Sequence, residues 1–287
     1  MSESSHPSFG KKYKIGNREL ELGGKYLGLL RESTDAIEDL PALRNRLKED
    51  GYLFIRGLHD RAQVLEARRK IIENVSAQGA LDPQAPLMDG VIKPGTTRFS
   101  GDLNRLIALP AYLDLVNAPR IMGFFERLLS GKALTLDIKL LRVFAQEDKT
   151  NAHYDIVYLG RGTKNLYTCW TPLGDVALEM GPLALCQGSN RFEQLIKTYG
   201  QTDPEKDGTG GHLSDDPVDI VERYGGRWAT AEFAAGDALI LGMFTLHMSL
   251  LNSSNRFRIS SDTRYQLASE PVDPRWMKKP SEPALSR

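Results

Sequence analysis

From Ala133 onward the chain is written in short apolar runs that Gly, Pro, Asp or Asn soon interrupt. "ALTLDIKLLRVFAQ", "DIVYLG", "NLYTCWTPL", "GPLALCQGS", "RWATAEFAAGDALILGMFTLHMSLL" and "FRISSDTRYQL" follow one another too closely for helices to cross between them. Parallel α/β architectures need such crossovers, so they are excluded. Closely spaced strands separated by turn residues make an antiparallel sandwich or barrel. The expectation is a mainly β chain with a jelly-roll core over about residues 133–268. Within it, "FAAGDALIL" reads as two strand-like runs about a Gly-Asp turn, consistent with a hairpin.

The first half reads differently. Residues 1–15 are expected to form a mobile tail, and 16–287 a single domain. From Lys25 to Glu73 the pattern is mostly helical. Ile37, Leu40, Leu43 and Leu47 recur at near-helical spacing before Gly51. "GYLFIRGL" then reads as a strand. "DRAQVLEARRKIIENVSAQ" opens on Asp60 as a helix cap, and "PAYLDLVNAPRIMGFFERLLSG" supplies another helical pair. Helices therefore flank the core up to about residue 132. Residues 200–226 are rich in Gly, Asp and Pro and break the series of strands. A solvated insertion is the simpler expectation there, and a lid or subunit contact the alternative.

Charge narrows the functional classes. Lys plus Arg number 37 and Asp plus Glu 37, so the formal net charge is zero. A nucleic-acid binder needs a basic surplus, and so does an electrostatic membrane anchor. Neither partner is expected. The longest apolar stretch, "DALILGMFTLHMSLL", is too short and interrupted to span a bilayer. Only Cys169 and Cys186 are present, and no secretory segment opens the chain, so a reducing cytoplasmic location is expected. The oligomeric state is open, with a homodimer as one expectation.

The chemistry concentrates in "NAHYD", residues 151–155. Residues i and i+2 of a strand point to one side, so His153 and Asp155 can bind one ion together. An HxD pair alone is as compatible with a surface ion pair. Of the five histidines, His6 lies in the tail, His59 beside a cap and His212 in the insertion. His153 and His247 are the two in or beside strands. A site of two imidazoles and one carboxylate therefore takes His247 as its third ligand. Arg256, Arg258 and Arg264 follow. Arg258, Ser260, Asp262 and Arg264 alternate onto one face, with Phe257 and Ile259 on the other. A polar inward face suits a ligand-filled barrel. A fixed arginine suits a dicarboxylate, which it holds as a bidentate pair.

With "HYD", "TCWTPLGD", "GPLALCQGSN", "FAAGDALILGMFTLH" and "NSSNRFR" in this order, the chain resembles the phytanoyl-CoA dioxygenase family of Fe(II)/2-oxoglutarate-dependent oxygenases. Residues 130–265 carry the resemblance, and "LKEDGYLFIRGL" matches the family's opening helix and strand. It implies a double-stranded β-helix core, with iron held by His153, Asp155 and His247. It implies that the co-substrate arginine, eleven residues after the distal histidine, is Arg258. Trp170 matches a family tryptophan beside 2-oxoglutarate, and Thr168 shares its face. Dioxygen is the remaining reactant, and succinate and carbon dioxide the co-products. The family commonly has His where this chain has Asn190, a loop-side position that is not an iron ligand, so altered substrate contacts are expected there. Related halogenases replace the acidic ligand with a small residue. Asp155 therefore favours hydroxylation, desaturation or rearrangement.

The substrate is less legible. Lys93 and Arg98 lie in the interrupted segment "LMDGVIKPGTTRFSGDLN", a candidate specificity loop. Lys139 and Arg142 precede the HxD pair with opposite parity, so at most one faces inward. No basic cluster suggests a coenzyme A site, and a small apolar or amphipathic metabolite is the expected substrate. Two alternatives stand beside this reading. One is a β-barrel that binds metal or ligand without turnover, which has no need of the full triad plus Arg258. The other is the same fold acting on a protein substrate.

Overall fold

The computed structural model describes residues 6–277. The chain begins with a hairpin of β1 (Lys12–Ile15) and β2 (Arg18–Glu21), then β3 (Leu27–Leu29), α1 (Leu40–Asp50), β4 (Tyr52–Ile55) and α2 (Arg61–Ala77). Three further helices follow: α3 (Leu103–Ile107), α4 (Pro110–Val116) and α5 (Pro119–Leu129). Next come β5 (Ala133–Thr135), β6 (Leu140–Phe144), α6 (Ile156–Leu159), β7 (Tyr167–Pro172) and β8 (Leu183–Cys186). Helices α7 (Glu193–Lys197), α8 (Pro204–Asp207) and α9 (Pro217–Tyr224) precede β9 (Trp228–Thr230), β10 (Ala238–Gly242), β11 (His247–Ser249) and β12 (Arg258–Leu267).

Two sheets face each other. The larger has the order β4-β10-β7-β12-β5, with β6 also paired to β12, and the smaller the order β11-β8-β9-β3. All pairings in the larger sheet are antiparallel, as the strand spacing required. Strand alternation sorts the side chains. Tyr52, Phe54, Leu239, Leu241 and Trp170 meet Leu183, Leu185 and Ala229 between the sheets. The opposite residues Leu53, Ile55, Ile240, Cys169 and Tyr265 pack outward on Leu43, Ile121, Phe125 and Leu128 of α1 and α5. Leu141, Val143, Phe257 and Ile259 are covered by Val64, Ile71, Val75 and Tyr112 of α2 and α4. This is the mainly β jelly roll with flanking helices that the strand pattern implies.

Local signals set the helix ends. Asp39 accepts from the Ala42 amide and Asp60 from the Gln63 amide, so both entry turns are capped. Gly51 ends α1 in the left-handed region at φ 81°. A Cβ there would come within 2.9 Å of the Asn190 side chain.

Four expectations need correction. The tail expected over 1–15 does not extend to its end, because Lys12–Ile15 is a paired strand and Ile15 is fully buried; residues 1–5 lie outside the described residues. The helical pattern expected from Lys25 gives way to β3, which pairs parallel to β9, and α1 starts only at Leu40. "DIVYLG" is one helical turn, α6, and not a strand. The Gly-Asp turn does not close a hairpin. β9 and β10 belong to different sheets, and the segment between them carries the chain from one sheet to the other. Among the described residues no helix is long and apolar enough to cross a membrane.

Candidate metal centre

His153 and His247 come together through their backbones. Each amide donates to the other's carbonyl, at 3.0 and 3.1 Å, so the imidazoles leave the same bridge with ring centroids 4.2 Å apart. His153 Nδ1 lies 2.8 Å from the Asn151 carbonyl and His247 Nδ1 2.9 Å from the Thr245 carbonyl. A carbonyl only accepts, so both Nδ1 atoms carry the proton and both Nε2 atoms offer a lone pair. Each Nε2 is 3.8 Å from Asp155 Oδ1. The three ligand atoms lie within 4.8 Å of one another, a set that could hold one metal ion.

Their protonation suits that use. Burial, reinforced by His247, holds His153 down at about 3, so its ring is neutral. Burial alone would raise Asp155. His247, then Arg264 with Nη2 at 3.9 Å, and a hydrogen bond from Thr168 outweigh burial and hold it below the usual carboxylate range. The Thr168 hydroxyl donates to Oδ2, leaving Oδ1 as the oxygen that faces both imidazoles.

Arg258 starts β12 and is 1% exposed. Its Nη1 donates to Ser260 Oγ at 2.6 Å, and its guanidinium stands 4.3 Å from the Phe144 ring centroid and 6.0 Å from that of Trp170. Burial, with Arg142 nearby, pulls its pKa down to about 9. On the inward faces of β7 and β12, the buried donors Arg258 Nε, Arg264 Nε and Trp170 Nε1 have no hydrogen-bond partner among the described residues. Buried donors are seldom left unpaired, and two of these belong to cations. The unpaired Arg258 Nε, in a pocket walled by the Phe144 and Trp170 rings, suits an anionic group such as a carboxylate of 2-oxoglutarate.

The other expected residues divide. Arg142 faces inward: Leu141 and Val143 pack outward, and Arg142 Nε donates to Asp262 Oδ2 at 2.9 Å. Lys139 is buried with Nζ donating to the Leu136 carbonyl at 2.7 Å. Lys93 and Arg98 are exposed and do not reach the triad; their segment is tied down through Phe99 on the outward Phe257. Asn190 donates to the Lys48 carbonyl at 2.9 Å and so packs on the end of α1. Thr168 shares the inward face of Trp170, and its hydroxyl donates to Asp155 Oδ2.

Three contacts were not legible in the sequence. Arg264 shares the parity of Arg258, which was legible, but its approach to Asp155 was not. Asp262 is buried at 6% and anchors Arg142. Tyr158 sets its ring edge-on to His153 at 5.5 Å between centroids. It brings the insertion with it. The Ala152 amide donates to the Ser214 carbonyl at 3.1 Å, and the Leu213 amide to the Ala152 carbonyl at 2.8 Å. The stretch expected as a solvated insertion therefore walls the HxD segment.

A jelly roll that gathers two imidazoles, one carboxylate and a sealed arginine has the build of an Fe(II)/2-oxoglutarate-dependent oxygenase. The profile of the phytanoyl-CoA dioxygenase (PhyH) family matches residues 47–260, and the chain belongs to that family. Among its relatives is the 1-deoxypentalenic acid 11-beta-hydroxylase of Streptomyces exfoliatus, 26% identical over 83% of this chain and 85% of the hydroxylase. Similar folds include the epimerase SnoN from nogalamycin biosynthesis, solved with Fe3+, alpha ketoglutarate and nogalamycin RO (TM-score 0.55, 20% identity, 88% of this chain and 93% of that one). EctD from S. alaskensis is also similar, with a TM-score of 0.58, 15% identity and coverage of 87% and 84%. The chain is an oxygenase of this class.

Proposed function

We propose that His153, Asp155 and His247 hold iron, that Arg258 binds the distal carboxylate of 2-oxoglutarate beside Trp170, and that the enzyme oxidises an unactivated C–H bond of a small apolar or amphipathic metabolite. The observation that carries this reading is the convergence of three donor atoms within 4.8 Å next to a sealed arginine whose Nε has no partner. When bound, iron with 2-oxoglutarate and dioxygen supplies C–H oxidation, with succinate and carbon dioxide as co-products. The chain's own residues orient and exclude. The Asn151 and Thr245 carbonyls aim the two imidazoles, and Thr168 leaves Asp155 one oxygen to offer. Ser260 and the Phe144 ring fix the Arg258 fork. Tyr52, Phe54, Leu239 and Leu241 close the interior to water. Asp155 occupies a position that halogenating relatives leave small, which supports hydroxylation, desaturation or rearrangement over halogenation. Two buried free thiols support a reducing, cytoplasmic setting.

Anaerobic addition of Fe(II) and 2-oxoglutarate to the full chain should produce a weak visible charge-transfer band. His247→Ala should abolish it, whereas His212→Ala should leave it intact. A chain that shows no band, and releases no succinate in air, is not this enzyme.

A further inference from the structure

We propose that the substrate carries a carboxylate and that Arg142 receives it; this rests on the oxygenase reading above. Three arginines face the interior, and they differ in access. Arg258 is 1% exposed and Arg264 4%, whereas the Arg142 side chain is 28% exposed. A diffusing metabolite meets Arg142. It shares a neighbour with the sealed Arg258, for the Phe144 ring centroid lies 5.8 Å from the Arg142 guanidinium carbon and 4.3 Å from that of Arg258.

The fork is already aimed. Nε donates to Asp262 Oδ2 at 2.9 Å, and Asp262 is buried, so one edge of the guanidinium is pinned. Nη1 and Nη2 make no hydrogen bond among the described residues, which leaves the terminal edge for a planar, bidentate acceptor. A carboxylate has that shape. Leu140 and Phe144 share the inward parity of Arg142 on β6, and the Phe144 ring centroid is 5.8 Å from the Arg142 guanidinium carbon. A cation flanked by apolar side chains selects an acid with an apolar body, and Asp262 keeps that cation oriented before the acid arrives.

The test uses the full chain loaded with Fe(II) and 2-oxoglutarate. The probes are decanoate, adamantane carboxylate and deoxycholate, each paired with its methyl ester. The readouts are displacement of the visible band under argon and succinate release in air. At least one acid should bind about ten-fold or more tightly than its ester, as expected where one partner of a charge pair is lost. Arg142→Met should erase that preference, Arg142→Lys should keep part of it, and neither should shift the 2-oxoglutarate Kd. Should Arg142→Met fail to fold, Arg142→Met with Asp262→Asn removes the stranded carboxylate and poses the same question. Equal binding of acids and esters overturns the proposal. So does silence from every acid up to about 2 mM, above the usual range of substrate KM. An acid preference that survives Arg142→Met overturns it as well. A rise in 2-oxoglutarate Kd on Arg142→Met would make Arg142 a co-substrate residue instead. Absence of the band overturns the oxygenase reading itself; a normal band without acid preference overturns only this inference.

Discussion

At the scale of single residues, the site separates metal binding from co-substrate binding. Thr168 touches Asp155 and Arg258 does not, so their variants should fail in different ways. Thr168→Val strands Asp155 Oδ2 without changing the side-chain volume much. Loss of such an outer partner weakens metal by about 10- to 100-fold, which isothermal titration with Fe(II) or Ni(II) would read. Arg258→Met should leave that titration unchanged and raise the 2-oxoglutarate Kd by at least about thirty-fold, the equivalent of about 2 kcal/mol for a buried charged contact. If both variants weakened both ligands equally, the division of labour would be wrong. The convergence of His153, Asp155 and His247 was legible because histidine is scarce and HxD spacing is specific in context. Thr168 was legible as an inward residue, but its hydrogen bond to Asp155 was not. Strand parity gives the face of a side chain, and only the fold says what stands opposite. The same limit hid Arg264, whose parity matched that of Arg258 while Asp155 lay on a segment far away in sequence.

At the scale of elements, turn chemistry was readable and its destination was not. The residues around Gly236 and Asp237 make the same turn whether the chain returns in one sheet or passes to the other. Asp237 accepts from the Ala234 amide at 2.8 Å, a local bond either topology allows. What decides is that β10 pairs with β4 and β7, contacts made across long stretches of sequence. "DIVYLG" failed for a related reason. A short apolar run has no period to distinguish a buried turn of helix from a strand. The insertion is the most consequential element. Gly211 lies at φ 76°, and a Cβ there would sit 2.5 Å from the Tyr158 ring and hydroxyl. Tyr158 stands against His153, so this glycine sets how closely the insertion closes on the metal side. Gly211→Ala should cost at least about 1 kcal/mol in urea unfolding, since both the backbone and the ring oppose it. It should also displace the visible band of the loaded enzyme. A variant with unchanged stability and band would show that the insertion does not bear on the centre. By contrast, Gly208 is also at positive φ but has nothing within 4 Å of its Cβ position, so Gly208→Ala should leave the band alone.

At the scale of the whole molecule, zero net charge removes global repulsion as a cause of instability near neutrality. Sensitivity to acid then falls on groups buried in their neutral form. His59 is the clearest, because it lies outside the metal centre, on the outward side of the larger sheet near Cys169. It is 4% exposed, and its Nε2 lies 3.0 Å from Thr171 Oγ1. Burial, with the charge of Arg120 adding to it, lowers its pKa from 6.5 to about 4. The unfolded chain therefore binds a proton at higher pH than the folded one. The stability that His59 contributes is complete above the unfolded value of 6.5 and is lost as pH falls toward 4. Between pH 7.5 and pH 5 the loss is about 2 kcal/mol, from the difference in proton uptake between the two states. Urea unfolding of the metal-free chain at those two pH values should show it. His59→Gln keeps a donor and acceptor near Thr171 but cannot take up a proton. It should be less stable than the parent at pH 7.5 and should lose about 2 kcal/mol less on going to pH 5. His153 also titrates low, but it belongs to the candidate metal centre and is the same in both chains, so the comparison between parent and His59→Gln isolates the distant histidine. Parallel pH profiles for the two chains would mean that acid acts elsewhere in the fold.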